Sequence, residues 1–181
     1  MSLHAGAYSL GPDHGRLWLK TGRTGAAAKA GHDLLIDVTS WEATLVIGED
    51  LSDTTIALTA DGGSLRVREG AGGIKALTDK DKSDIATTID DEILKRQAIT
   101  FRSTRVVAAD DSRAARVEGE LTLLGKTRPV AFDLSGGDGT LAATAVIRQT
   151  EWGITPYSTL FGALKLADEV EIGIDVVLPT S

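Results

Sequence analysis

The sequence predicts an all-β domain, an antiparallel barrel of about eight strands with one or two short α-helices. Apolar residues recur at every second position through most of the chain, which places one set of side chains on the buried face of half-exposed strands. Between these runs lie hairpin turns: Asp61-Gly62-Gly63, Leu124-Gly125-Lys126 and Gly136-Gly137-Asp138-Gly139. A flat sheet of so many strands would leave long edges open, and closure into a barrel removes them.

Taken in order, Leu17 and Leu19 alternate with Arg16, Trp18 and Lys20, and Ala43, Leu45 and Ile47 alternate with Glu42, Thr44 and Val46. Ile56, Leu58 and Ala60 share a face, as do Leu65 and Val67. Over Thr78 to Leu94 the period changes: Ile85, Ile89 and Ile93 fall four apart with Asp and Lys between them, which predicts a helix. Thr78 is placed to cap its N-terminus, with Asp79 and Asp81 in the first turn and Lys95 and Arg96 near its end. Alternation resumes at Ile99, Phe101 and Ser103, then at Val117, Leu121 and Leu123, at Val130, Phe132 and Leu134, and at Leu141, Ala143, Ala145 and Ile147. It ends with Val170, Ile172, Ile174 and Val176, opposite Glu171 and Asp175. Leu160 to Leu166 reads either as a second short helix or as an irregular lid.

The 181 residues, 42% of them hydrophobic, suit a single domain over residues 1–181. A net charge of −7 with no basic run argues against nucleic acid or an anionic membrane surface, both of which require a concentrated positive field. Without cysteine there is no disulfide, thiolate nucleophile or cysteine-built metal site. Met1 to Ser9 lacks the basic start and apolar run of a secretory signal, and no apolar run approaches the ~20 residues of a membrane helix. The expectation is a cytoplasmic protein with no integral membrane segment.

Chemical motifs are sparse. The stretch from Gly119 to Thr127 ends in Gly-Lys-Thr, but five residues separate Gly119 from Gly125 where a phosphate loop needs four, and a strand follows instead of a helix. Gly70-Ala71-Gly72-Gly73 lacks the strand, turn, helix and downstream acid of a dinucleotide site, and reads as a flexible loop before the helix. The histidines His4, His14 and His32 show no metal-ligand spacing. His32 beside Asp33 offers an acid/base pair, yet the chain contains no Gly-x-Ser-x-Gly elbow. A ring hydrogen-bonded at the start of a strand is the simpler reading of His32, with contact to a ligand head group as the alternative. Asp90-Asp91 and Asp110-Asp111 are adjacent in sequence and cannot flank a scissile bond as glycosidase carboxylates do.

The predicted barrel has small inward residues, Ala43, Ala60, Gly119, Ala143 and Ala145, and aromatics make up only 4% of the chain. Such an interior is either underfilled, with room for a ligand, or filled by the helix. Trp18 and Trp41 suit exterior or interior equally, whereas Trp152 falls in a non-alternating segment suited to a mouth.

Four segments together resemble the YceI-like family of lipocalin-like proteins. They are Gly31-His32-Asp33-Leu34-Leu35-Ile36-Asp37-Val38 leading through Trp41 to Gly48; Ile99-Thr100-Phe101-Arg102-Ser103; the hairpin from Val117 to Val130; and Ile147-Arg148 with Glu151-Trp152-Gly153-Ile154. The resemblance runs from Gly15 to Leu178. It departs from the family's usual pattern at Asp81-Lys82-Ser83-Asp84-Ile85, at Asp90-Asp91 and at Gln97.

The resemblance implies binding, storage or transport of an elongated apolar or amphiphilic ligand, such as a polyisoprenoid, an isoprenoid quinone precursor or a fatty-acid derivative. It also implies a homodimer. No catalytic residue, cofactor or metal is expected. A tail is expected against Phe101, Leu121, Phe132, Ala143 and Ala145, near Trp152 and Phe161. Arg148 is the candidate for a charged head group, the competing reading being that it pairs with an acid such as Glu151. Two alternatives remain: a hydrolase or isomerase using His32 and Asp33, or a structural module with a filled barrel and no ligand.

Overall fold

The computed structural model describes residues 4–109, 114–159 and 164–179, the side chain of Leu164 excepted. Among the described residues twelve strands form one antiparallel sheet: β1 (Gly6–Leu10), β2 (Gly15–Thr24), β3 (Asp33–Val38), β4 (Trp41–Ile47), β5 (Thr55–Asp61), β6 (Leu65–Ala71), β7 (Ala98–Ala108), β8 (Ala114–Leu123), β9 (Lys126–Gly137), β10 (Thr140–Arg148), β11 (Ser158–Thr159) and β12 (Leu164–Val177). Eleven follow the order β1-β4-β5-β7-β8-β9-β10-β12-β2-β3-β6, and β11 pairs β12. The strand segments are therefore more numerous than the eight expected.

The difference comes from bends. β1 pairs β4 while β2 pairs β3, and β4 pairs β5 while β3 pairs β6. Each of β1–β2, β3–β4 and β5–β6 is thus one pass of chain broken part-way along. The ladder carries across the break, because the Thr39 amide donates to the Ser64 carbonyl at 3.0 Å and the Asp61 amide to the Ser40 carbonyl at 3.0 Å. Counted as passes, the path reduces to eight. The last, β12, pairs β2 in the first, so the ring closes on itself.

Closure through a bent ribbon leaves the outer edge of β6 without a strand partner among the described residues, and the helix occupies that side. Helix α1 (Asp79–Thr88) packs on β6 and continues into a π-helical turn over Ile89–Ile93. The expected Thr78 cap forms as a reciprocal box: its Oγ1 accepts from the Asp81 amide at 3.1 Å, and the Asp81 carboxylate accepts from the Thr78 amide at 2.9 Å. Lys82 donates to the Arg68 carbonyl at 2.9 Å, where β6 bulges, and Arg66 bonds the buried Asp90 at 3.1 Å. The segment expected from Leu160 to Leu166 is not helical where it is described, since Leu164 to Leu166 open β12.

Two turns show how local sequence sets register. Leu124 and Gly125 both have positive φ, 50° and 73°, as do Asp138 and Gly139, 52° and 76°, the requirement of a two-residue hairpin whose twist matches its strands. The near-miss phosphate motif is therefore a tight β8–β9 turn. On the inner wall, Gly119 lies under Phe101, whose ring, with the Arg102 carbonyl, fills the space a Cβ would need.

Gly119→Ala should lower stability by about 1–3 kcal/mol in urea unfolding, because the added carbon has nowhere to go. Gly137→Ala, with nothing within 4 Å of the new carbon, should lower it much less. The bonds from the Thr78 amide and hydroxyl hold the Asp81 carboxyl below its ordinary 3.8. The box is then intact above 3.8 and lost only as pH falls through the lowered value. Relative to its intrinsic rate, amide exchange at Thr78 and Asp81 should be unchanged from pH 7 down to 3.8 and accelerate only as pH falls through the lowered value.

Candidate functional site

Inward alternation along the eight passes encloses a cavity of 610 Å³. Leu10, Leu45, Leu141 and Val176 line it at the end away from Arg23 and Lys165. Val106, Ala115 and Val117, almost completely buried, are not part of the lining. Ile85, Ile89 and Ile93 line it from the helix, on the side where β6 has no strand neighbour.

Polar groups gather at the opposite end. Arg23 at the end of β2, His32 before β3, Lys165 at the start of β12, and Tyr157 and Thr159 beside it all line the mouth. Arg23 faces Asp33 at 3.4 Å and donates to the Gly31 carbonyl. The Nε2 of His32 lies 2.6 Å from the Lys75 carbonyl; a carbonyl only accepts, so this nitrogen carries the proton. Its ring sits where a Cβ on Gly73 would fall, and the Arg23 guanidinium does the same at Gly72. Both glycines have positive φ, 75° and 83°, so the loop before the helix folds tightly over these two side chains.

Of the residues singled out in sequence, Phe101, Leu121, Phe132, Ala143, Ala145 and His32 line this cavity. The Phe101 and Phe132 rings meet at 5.5 Å between centroids, tilted by 50°. Arg148 does not line it: its side chain is 63% exposed and lies 3.5 Å from Glu169, not Glu151. Phe161 lies outside the described residues. Trp18 covers Gly173 on the outer surface and donates to Asp175 at 2.7 Å, whereas Trp41 is buried at the bend.

Trp152 corrects an expectation. It is 1% exposed and is not part of the lining. Pairing between β9 and β10 stops at Asp133 and Thr144, beyond which β9 follows only β8 and β10 only β12. The short turn Gln149–Trp152 wedges into the resulting seam, Trp152 Nε1 donating to the Leu121 carbonyl at 3.1 Å and Arg128 to the Glu151 carbonyl at 3.2 Å. Trp152 is thus a seam plug in place of a mouth residue.

Sequence reading missed Arg23 and Lys165. Continuing the Leu17 and Leu19 alternation by two positions at a time reaches Thr21 and Arg23, so a signal for Arg23 was there. Lys165 lies in a stretch without clear periodicity. Trp152→Ala should destabilise the fold by about 3–5 kcal/mol in thermal or urea melts, as for any large buried ring. Trp152→Phe, which also leaves the Leu121 carbonyl without its donor, should cost about 1–3 kcal/mol.

The YceI-like domain matches residues 8–178. No curated protein sequence matches. Among solved structures, the fold is similar to BcnA of Burkholderia cenocepacia, at 16% identity and TM-score 0.62, over 91% of this chain and 96% of that one. It is also similar to a YceI protein of Campylobacter jejuni, at 14% identity and TM-score 0.55, over 81% and 85%. A mutant of that C. jejuni protein with a monobromobimane guest gives TM-score 0.57. With a domain match spanning nearly its whole length and the same barrel architecture, this chain belongs to the YceI-like family.

Proposed function

We propose that this protein binds an elongated apolar or amphiphilic molecule inside the barrel, to store or carry it, and that it does no chemistry on it. The observation that carries the reading is a 610 Å³ cavity lined mostly by aliphatic and aromatic side chains, with Arg23, His32 and Lys165 grouped at one end and Asp84, Thr88 and Gln149 among its few other polar residues. Pockets of this size and character suit a ligand held by burial with few oriented bonds. Each methylene taken from water contributes about 0.8 kcal/mol, so a tail binds firmly without a specific polar partner. The resemblance to a family associated with long-chain amphiphiles points the same way.

The polar end of the ligand belongs at Arg23, His32 and Lys165, in place of Arg148. The hydrolase or isomerase alternative needs His32 and Asp33 to act together. In the fold His32 Nε2 is committed to the Lys75 carbonyl and Asp33 faces Arg23, an arrangement that orients a loop and a mouth. The filled-barrel alternative has no support in a cavity of this volume.

Ala143→Trp should abolish uptake of a fluorescent long-chain probe such as cis-parinaric acid while circular dichroism and the melting profile stay those of a folded barrel. A folded variant that takes up the probe unchanged would place the tail elsewhere. His32→Ala should leave uptake largely intact, and native mass spectrometry of gently purified protein should show a co-purifying lipid.

A further inference from the structure

With the carrier reading taken as given, the exposure of the lining residues locates the way in. Among the described residues, only Asp84, Tyr157, Thr159 and Lys165 of the lining are exposed. Asp84 belongs to α1, and the other three lie on or beside the β11–β12 pair, where Ser158 stands opposite Lys165. The cavity therefore meets solvent between the helix and that pair. Arg23 and His32 are only half-buried in the lining, but the Gly72–Gly73 loop lies over both, fastened where His32 Nε2 donates to the Lys75 carbonyl at 2.6 Å.

The helix on one side of this opening is weakly built. Asp79, Asp81, Ser83, Asp84, Thr87 and Thr88 are six of its ten residues, and all are poor helix formers because their side chains compete for backbone bonds or lose rotamer freedom. Ten residues are too few for a helix to persist without packing, yet α1 fully buries only Ala86. Among the described residues, its one hydrogen bond to a strand runs from Lys82 to the Arg68 carbonyl at 2.9 Å. The π-helical turn that follows is held more firmly. Asp90 and Leu94 are buried, Arg66 lies 3.1 Å from the Asp90 carboxylate, and the Arg96 amide donates to the Asp90 carbonyl at 2.8 Å. Few buried side chains and solvent-exposed backbone bonds mark a segment that opens ahead of the rest of the fold.

The geometry points to α1 as the gate of the cavity: the helix unwinds from its Thr78 cap as far as the anchored π-helical turn, and the ligand passes between it and the β11–β12 pair. Unwinding lifts Asp84, Ile85 and Thr88 from the lining while Ile89 and Ile93, on the anchored turn, stay. Entry and exit share this step, so a change in the stability of α1 moves both rates together and the affinity far less.

Stopped-flow mixing of the purified protein with cis-parinaric acid, followed by displacement of the bound probe, measures both rates. Ser83→Ala combined with Thr87→Ala, two exposed positions outside the lining, raises helix propensity and should slow uptake and release about fivefold. Thr78→Ala, which removes the cap, and Lys82→Met, which removes the bond to β6, should each speed both rates about fivefold. Ile74 is 83% exposed in the loop over Arg23 and His32; Ile74→Gly loosens that loop alone and should leave both rates unchanged. In amide exchange, Ser83 to Thr88 should open as one group, before Leu94 and β6. Rates that ignore the Ser83 and Thr87 pair, rates that follow Ile74→Gly, or α1 amides that open only with the strands would overturn the gate and leave the carrier reading standing. If Thr78→Ala or Lys82→Met does not fold, the alanine pair decides alone. Failure of the unaltered protein to bind the probe would overturn both.

Discussion

The bend at Thr39–Ser40 and Asp61–Ser64 is the constraint on which the rest of the structure depends. Two backbone bonds, Thr39 to Ser64 and Asp61 to Ser40, keep the second and third passes paired while the ribbon turns from β2 on one side to β7 on the other. Ser64 adds side-chain bonds at the same point, accepting from the Ser40 amide at 3.1 Å and donating to the Asp61 carbonyl at 2.8 Å. A buried corner with unpaired amides would be expensive, and here these hydroxyl and backbone groups take up the bonds. Ser64 is accordingly among the few buried polar residues. The bend closes eight passes into a ring and gives up one thing, a strand neighbour for β6.

That missing neighbour explains the helix. A sheet edge must be covered or blunted, and α1 covers this one with Ile85, Ile89 and Ile93 turned to the cavity and Lys82 and Asp90 tied to β6 backbone and side chain. The helix is mostly polar, α1 itself fully burying only Ala86 and the π-helical turn only Asp90, as expected for a wall that faces solvent on one side and a hollow on the other. Its position makes it part of the container, with its first turn beside the Gly72–Gly73 loop that folds over Arg23 and His32.

The hollow itself follows from side-chain size. Native interiors are close-packed, yet here Ala43, Ala60, Ala143 and Ala145 stand at inward positions where larger residues would meet across the axis. Val106 and Val117, directly paired on β7 and β8, are by contrast almost completely buried and leave no space beside them in the lining. The cavity runs along most of β12, from Lys165 to Val176, while the β7–β8 pair contributes tightly packed valines to the wall. The Trp152 wedge belongs with the wall: where β9 and β10 separate, a large ring anchored to the Leu121 carbonyl takes the place of missing ladder bonds.

Much of this was legible in the chain. Period-two alternation identified the strands, the Leu124-Gly125 and Asp138-Gly139 pairs marked tight turns, the four-residue spacing of isoleucines marked the helix, and inward alternation picked out Phe101, Leu121, Phe132, Ala143 and Ala145. These are local signals, set by backbone sterics and by which face of a strand a residue occupies. What the tertiary structure decided was non-local: that three passes bend at one corner, so eight passes appear as more numerous segments; that Trp152 fills a seam and Arg148 turns to Glu169; and that Arg23 and Lys165, some 140 residues apart in sequence, meet at one mouth through the β2–β12 pairing. Alternation tells which side of a strand a side chain takes, but only the ring's register tells what stands opposite it, and that register is fixed by closure of the whole barrel.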